Sequence, residues 1–414
     1  MNLDWRGLPP DTARRLEQLG QADLVVGLPG CAESGAVRLA AEAWRTARHR
    51  FGTVPRTVIF HADPGTSDEP PEGSAPADGA PTLVYAPMTG AGRLDDLASR
   101  YSATVRHVMS VTQFLDARAG CLLGSLSSTI TPDEIDRLLR PVLEQGVDLM
   151  VPRFEVSRFE ALITRGVIGP LARALFGPRL HDPMVVNFAG SAKLAARLAE
   201  PGRVGSSRTL IWLASEAACQ GMTIGETFVR RPDLSGEPDD LVTVVGTVLG
   251  SLFLDMERHA ACWQRIHASR PVQTSGTPGE IPGTVPPVDA GLLVDSFRTA
   301  FTNLADVWSA LLPPATLLDL KKLTRLPAAQ FGIPDELWAR IVYDIALGSR
   351  LRVISRDHVL RSFVPLYLAW VASWITQDRG EAAAEDRQNA LCLAFERQKP
   401  YLLSRWRWPD RFSP

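Results

Sequence analysis

The eight residues His61-Ala62-Asp63-Pro64-Gly65-Thr66-Ser67-Asp68 follow a β-type run and turn at once through Asp, Gly and Ser/Thr. A strand ending this way offers carboxylates, here Asp63 and Asp68, to a base or ribose, and its small residues let a ligand approach the backbone. The plainer reading is a loop-closing Asp/Gly turn. His181-Asp182-Pro183 can orient an acceptor or act as a general acid, or it can be a turn whose Asp caps the next segment. Ser127, Ser128 and Thr129 can donate to a phosphate, although hydroxyls at a helix entrance commonly satisfy backbone groups. Glu33 can touch a base or cap the helix after Gly35, and Glu216 can face an acceptor or make a surface ion pair. No serine sits in a G-x-S-x-G setting, and no cysteine lies in a motif that would make it a nucleophile.

The elements that must position these residues alternate. Leu24 to Leu28, Arg56 to His61, Thr82 to Tyr85, Gly120 to Leu123 and Val147 to Val151 read as strands, and Ala36 to Arg48 as an amphipathic helix. Such alternation predicts an α/β fold with a mostly parallel sheet. Asp68 to Pro81 is too polar and too broken to be core. Thr131-Pro132-Asp133-Glu134 predicts a helix start with a capping box, the helix running to about Gly146 past an internal Pro141. Ser269 to Val288 is nearly all breaker and small polar residues and reads as a linker. Beyond it the apolar spacing predicts helices over Leu292–Leu312, Pro334–Leu347, Arg356–Ile375 and Ala382–Trp408. The expected division is therefore an α/β domain over residues 1–266, a Pro/Gly-rich linker over 267–288 and a mainly helical region over 289–414.

Composition narrows the partners. The chain has 414 residues, 44 Lys plus Arg against 46 Asp plus Glu, and a formal charge of −2. That is too weak a positive field for a broad nucleic-acid footprint, so no nucleic acid is expected. The terminal RWRWPDRF is basic and aromatic, but its tryptophans are better used packing on the helical region. The five cysteines are widely separated, which predicts neither a zinc site nor a disulfide framework and suits a reducing, cytoplasmic location. No signal-peptide pattern opens the sequence. Val242–Leu254 and Ser362–Ile375 are interrupted and short for a bilayer, so they are expected as buried helices rather than membrane spans.

The order DLVVGLP (from Asp23), the Asp63 turn, ITPDEI, DLMVPRF and GVIGPLARALFG (Gly166 to Gly177), followed by FGIPDELWARIVYDIA, FVPLYLAWVASWI and AEDRQNALCLAFERQKPYLLSRW, resembles the GT-A glycosyltransferases of the glucosylglycerate and mannosylglycerate synthase type. The resemblance spans nearly the whole chain. It implies a Rossmann-like GT-A domain, a UDP- or GDP-linked sugar donor, and a divalent cation held by a D-x-D motif and a later histidine. Here the chain departs from the family. The D-x-D positions fall on Gly124 and Leu126, the metal histidine on Leu234, the lysine of a G-K-G turn on Ala91, and the aspartate of a GGDFG stretch on Asn187. No acidic residue stands between Arg118 and Thr131. Two carboxylates cannot be replaced by glycine and leucine as ligands for Mg²⁺ or Mn²⁺, so no metal is expected. The resemblance then leaves three readings: a pseudo-glycosyltransferase acting as a binding or partner subunit, a metal-independent transferase, and an unrelated binding role. In the transferase reading Arg93, Arg230 and Arg231 contact the diphosphate, where guanidinium groups can replace the cation, and His181 and Asn187 lie on the acceptor side. A homo-oligomer or an active paralogue is the implied protein partner.

Overall fold

The computed structural model describes residues 10–29, 56–62, 82–85, 94–123, 130–185, 187–198, 211–230, 241–279, 281 and 288–407. Two compact units share the chain. The first comprises Met1–Glu155, Met184–Gly236 and Val272–Gly279; the second comprises Val156–Pro183, Glu237–Pro271 and Glu280–Pro414.

The described strands are β1 (Leu24–Pro29), β2 (Thr57–Ala62), β3 (Thr82–Tyr85), β4 (Ala119–Leu123), β5 (Leu149–Arg153), β6 (Asn187–Ser191), β7 (Ile224–Phe228) and β8 (Gln273–Ser275). The described α-helices are α1 (Pro10–Leu19), α2 (Leu94–Phe114), α3 (Pro132–Glu144), α4 (Gly169–Phe176), α5 (Ala192–Leu198), α6 (Trp212–Cys219), α7 (Leu241–Arg258), α8 (Ala260–Trp263), α9 (Ala290–Asn303), α10 (Ala305–Leu311), α11 (Pro314–Leu323), α12 (Asp335–Leu351), α13 (Arg356–Thr376) and α14 (Glu381–Arg407).

The first unit is the expected α/β layer. Its sheet has the order β3-β2-β1-β4-β6-β5-β7-β8, and every neighbouring pair is parallel except the two that β6 makes with β4 and β5. Leu24, Val26 and Leu28 alternate onto one face of β1, where they join Ile135, Leu138, Leu139 and Val142 of α3 in one core. Those four α3 positions are spaced i, i+3, i+4, i+7, the stripe a helix needs to lie on a sheet. Burying each side chain contributes roughly 2 kcal/mol. Val25 is buried on the opposite face, so the strand is apolar on both sides, as a central parallel strand must be. A Cβ at Gly27 would run into Val108 of α2; the glycine lets that helix seat closely against the strand.

Three of these strands were not expected. Asn187-Phe-Ala-Gly-Ser and Ile224-Gly-Glu-Thr-Phe contain too few β-branched residues to stand out. Gln273-Thr-Ser lies inside the stretch expected to be a linker, where it pairs parallel with β7. It holds no proline itself, and β7 offers it an open edge. The expected helix over 36–48 lies outside the described residues.

The second unit is helical, as expected of the C-terminal region. A π-helical turn at Thr164–Ile168 runs into α4. The last carbonyls of α4 are capped from α14. Lys399 Nζ donates to the Ala174 and Leu175 carbonyls at 2.7 and 3.3 Å and to the Ile266 carbonyl at 2.7 Å, satisfying acceptors that a helix end leaves open. Burial lowers the Lys399 pKa to about 8. A run of rings along α13 packs the interior: Trp370 lies 5.9 Å from Trp338, 6.2 Å from Tyr367 and 5.4 Å from Trp374.

α13 is long and apolar enough to cross a bilayer, by length and composition, but 67% of its most apolar window is buried inside the fold. It runs Arg356–Thr376, 21 residues, within one residue of the helix expected over Arg356–Ile375. The expectation about cysteines needs correcting. Cys121 and Cys392 are free and buried, whereas Cys219 and Cys262 are disulfide-bonded; wide spacing in sequence is no bar to a disulfide.

Candidate functional site: the carboxyl edge of the sheet

β1, β2 and β3 step outward in one direction, and the chain then returns to place β4 on the other side of β1. In an open parallel sheet that reversal leaves a crevice outside the strands' carboxyl ends, between β1 and β4. Four strands end there, at Pro29, Ala62, Tyr85 and Leu123. Asp63 is the next residue after β2, and Gly124 the next after β4. Asp63, Asp68, Arg93, Gly124, Leu126, Arg231 and Leu234 lie outside the described residues, as do Glu33 and Ser127–Thr129.

Asn187 is described. It opens the antiparallel strand β6 and pairs in register with Leu123, so it stands at the same carboxyl edge. Its side chain is fully buried. His181 belongs to the second unit, where its Nε2 lies 3.4 Å from Glu385 Oε1 on the exposed face of α14. That is a surface contact of modest worth. Glu216 makes an ion pair, with its Oε1 3.6 Å from Arg197 Nε, but both side chains are largely buried rather than on the surface.

Arg230 follows β7 by two residues, and its backbone is held by a group that the sequence marks only as a helix cap. Glu134 sits in the first turn of α3. Its Oε2 accepts from the Thr131 amide at 2.7 Å and from Thr131 Oγ1 at 2.9 Å, while the Glu134 amide donates to Thr131 Oγ1 at 3.4 Å, completing the expected capping box. Its other oxygen, Oε1, accepts from the Arg230 amide at 2.6 Å. One buried carboxylate therefore ties the entrance of α3 to the segment leaving β7. Arg137, one turn further along α3, donates to the Phe228 carbonyl at 3.3 Å and lies 4.0 Å from Glu134 Oε1, which adds a second tie between the same elements.

Next to this junction Arg153, the last residue of β5, places its guanidinium 4.5 Å over the Phe228 ring and 3.4 Å from Glu226 Oε1. Glu226 is 1% exposed and also accepts from Thr274 Oγ1 at 3.4 Å. A carboxylate so buried survives only with cationic or hydrogen-bonding partners. Arg153, Glu226 and Thr274 thus tie β5, β7 and β8 to one another. Glu134, Arg137, Arg153 and Glu226 were not singled out as site residues. Glu134 carried a local signal in the capping box, but its hold on Arg230 spans 96 positions.

Among the described residues no group of three or more His, Cys, Asp or Glu is placed to hold a metal ion. No protein-family model matches the chain, and none of the curated proteins does. Among solved structures it is similar to glucosyl-3-phosphoglycerate synthase from Mycobacterium tuberculosis in complex with phosphoglyceric acid, at 14% identity over 60% of this chain and 85% of that one, with a TM-score of 0.34. The same enzyme in complex with Mg²⁺ and UDP matches at 12% identity over 59% and 83%, again with a TM-score of 0.34. Mannosyl-3-phosphoglycerate synthase from Rubrobacter xylanophilus matches at 17% identity over 62% and 81%, with the same TM-score. Likeness at this level carries no argument about activity.

Proposed function

We propose that this protein is a glycosyltransferase-like binder of a nucleotide-linked sugar, that it takes the ligand at the carboxyl edge of its sheet, and that it does so without a divalent ion. The observation that carries the reading is the strand reversal between β1 and β4: Asp63 follows β2 and Gly124 follows β4 in the sequence, and those two strands lie on either side of β1. That is where an open α/β sheet takes a nucleotide. Asp63 and Asp68 are the groups for the nucleoside, and Arg93, Arg230 and Arg231 those for the diphosphate.

The metal-free part rests on donor chemistry. Gly124, Leu126 and Leu234 bring no anionic oxygen, and hard cations require several. The residues do not fit the ion that the glycosyltransferase resemblance implies, and no step is routed through one. Charge on the diphosphate falls instead to arginines. A guanidinium offers two parallel N–H donors to a phosphate and keeps its charge at any physiological pH.

In the version in which the site still transfers sugar, the arginines take over the charge stabilisation that the ion would supply. When the bond from the anomeric carbon to the diphosphate breaks, both electrons stay on the phosphate oxygen, and a cation fixed in place lowers the barrier to that departure. The test is calorimetric titration with UDP- and GDP-linked sugars on the wild type and the Arg230→Ala/Arg231→Ala variant, followed by assay for sugar release or transfer. Binding lost in the variant together with turnover in the wild type supports the transferase. Binding without turnover leaves a partner or binding subunit, and no binding of any nucleotide-sugar overturns the reading.

A further inference from the structure

We propose that the end of the helical unit at which α12 and α14 terminate docks on an anionic lipid surface, with Leu351 and Val353 entering the headgroup boundary and Arg350, Arg352 and Arg407 facing the lipid phosphates. The surface belongs to the helical unit alone and does not depend on the nucleotide-sugar reading above; a failed donor titration would leave it standing.

Three departures from an ordinary helix end meet there. Burial runs unbroken along α12 from Ile341 to Ser349 and then stops: Leu351 is 45% and Val353 47% exposed. Between them Arg352 closes the helix in the left-handed region, at φ 53° and ψ 40°. That position commonly goes to glycine, because a Cβ is strained there. Isolated exposed aliphatics are ordinary. A pair flanking a strained, charged residue marks a tip shaped for a contact outside the fold.

The third departure is charge. α14 ends beside α12, because the Arg350 guanidinium lies 4.0 Å over the Trp406 ring and its Nη1 donates to the Trp406 carbonyl at 2.8 Å. The carboxylates of this end are already taken: Glu257 by Arg356 at 2.6 Å, Asp344 by Arg405 at 3.3 Å and Asp357 by Arg361 at 2.9 Å. Arg407 Nε donates to the neutral Gln264 Oε1 at 2.8 Å. Arg350, Arg352 and Arg407 therefore make no ion pair among the described residues, and Arg352 and Arg407 are exposed. Arginine in a last helical turn complements the helix dipole, which accounts for Arg350 and Arg407 but not for the aliphatic neighbours. Local positive charge beside exposed apolar side chains, on a chain whose formal charge is −2, suits an anionic lipid surface. A single-stranded nucleic acid would call for exposed aromatic platforms, and Trp406 is only 5% exposed.

The experiment sediments the full chain with vesicles of phosphatidylcholine alone and of phosphatidylcholine with about one-third phosphatidylserine, each in low and in high salt. The variants are Leu351→Ser/Val353→Ser, Arg352→Gly and Arg407→Gln. The wild type is expected to bind the anionic vesicles reversibly, to leave them in high salt and to ignore the neutral ones. Each arginine variant should weaken binding on the order of fivefold, and the serine pair should abolish it. Arg352→Gly suits the left-handed backbone, so it should melt no lower than the wild type, which separates lost binding from lost folding. No binding to the anionic vesicles would overturn the inference. Unchanged binding by the serine pair would overturn it as well, since the attraction would then be charge without insertion. Tighter binding to single-stranded DNA than to the vesicles, read by fluorescence anisotropy, would assign the patch to nucleic acid and overturn it too.

Discussion

A methyl group added at Gly166 tests how the helical unit is packed. The residue lies in the π-helical turn before α4 and its carbonyl accepts from Trp338 Nε1 at 2.7 Å. A Cβ there would stand 2.5, 2.6 and 2.7 Å from three carbons of the Trp370 ring, well inside van der Waals contact. Trp370 has little room to retreat. It is 3% exposed and flanked by Trp338, Tyr367 and Trp374 at centroid distances of 5.9, 6.2 and 5.4 Å. Overpacking of this kind costs about 1–3 kcal/mol, against a helix-propensity gain from Gly to Ala of about 1 kcal/mol. Contacts this short belong at the upper end, so Gly166→Ala is expected to destabilise the unit by about 2 kcal/mol. Gly246→Ala in α7 supplies the opposite sign from the same chemical change, because nothing lies within 4 Å of its Cβ; it should stabilise by up to about 1 kcal/mol. Urea unfolding followed by tryptophan fluorescence measures both. A double-mutant cycle with Trp370→Leu isolates the clash, and the double variant should fall short of the summed losses by about 1 kcal/mol or more. A neutral Gly166→Ala, or an additive cycle, would refute the packing argument.

Three further outcomes follow from the same unit and from its buried polar groups. Asp344 is 1% exposed and accepts from Tyr401 Oη at 2.7 and 3.0 Å, with Arg405 Nε 3.3 Å away; burial outweighs Arg405, Tyr401 and Arg340 and raises its pKa from 3.8 to about 7. The folded state therefore holds this proton more tightly than the unfolded chain. The stability it contributes is full below the unfolded pKa of about 4 and is lost as pH rises through about 7. Melting temperatures measured from pH 4.5 to 8 should fall in the wild type and flatten in Asp344→Asn, by up to about 4 kcal/mol at the extremes. Lys399→Met leaves three carbonyls without their donor and should destabilise by roughly 2–4 kcal/mol in denaturant melts. Burial pushes the Cys392 thiol up to about 11, so iodoacetamide should modify it only on unfolding, with mass spectrometry as the readout.

Much of the fold was legible because its signals are local. The apolar runs at β1, β2 and β4 and the Thr131–Glu134 cap each declare themselves within a few residues. The helices α12 to α14 were placed by spacing alone, to within a few residues of their ends. β6 and β7 were not readable, since their strand character comes from neighbours that supply hydrogen bonds rather than from their own residue types. β8 was hidden by the prolines and glycines around it. The site divides the same way. Asp63 and the Gly124 segment could be aligned with strand ends, but the bond from Glu134 to Arg230 joins residues that only the sheet topology brings together. His181 proved to face a surface glutamate.

The measurement that bears most directly on the account is the affinity for UDP-glucose and GDP-mannose in the presence of chelator and again with millimolar Mn²⁺. Metal-free binding predicts a dissociation constant for the accepted donor that is the same in both buffers. A donor bound only when Mn²⁺ is present, and released by chelator, would show that carboxylates elsewhere in the chain grip the ion, and would contradict the claim.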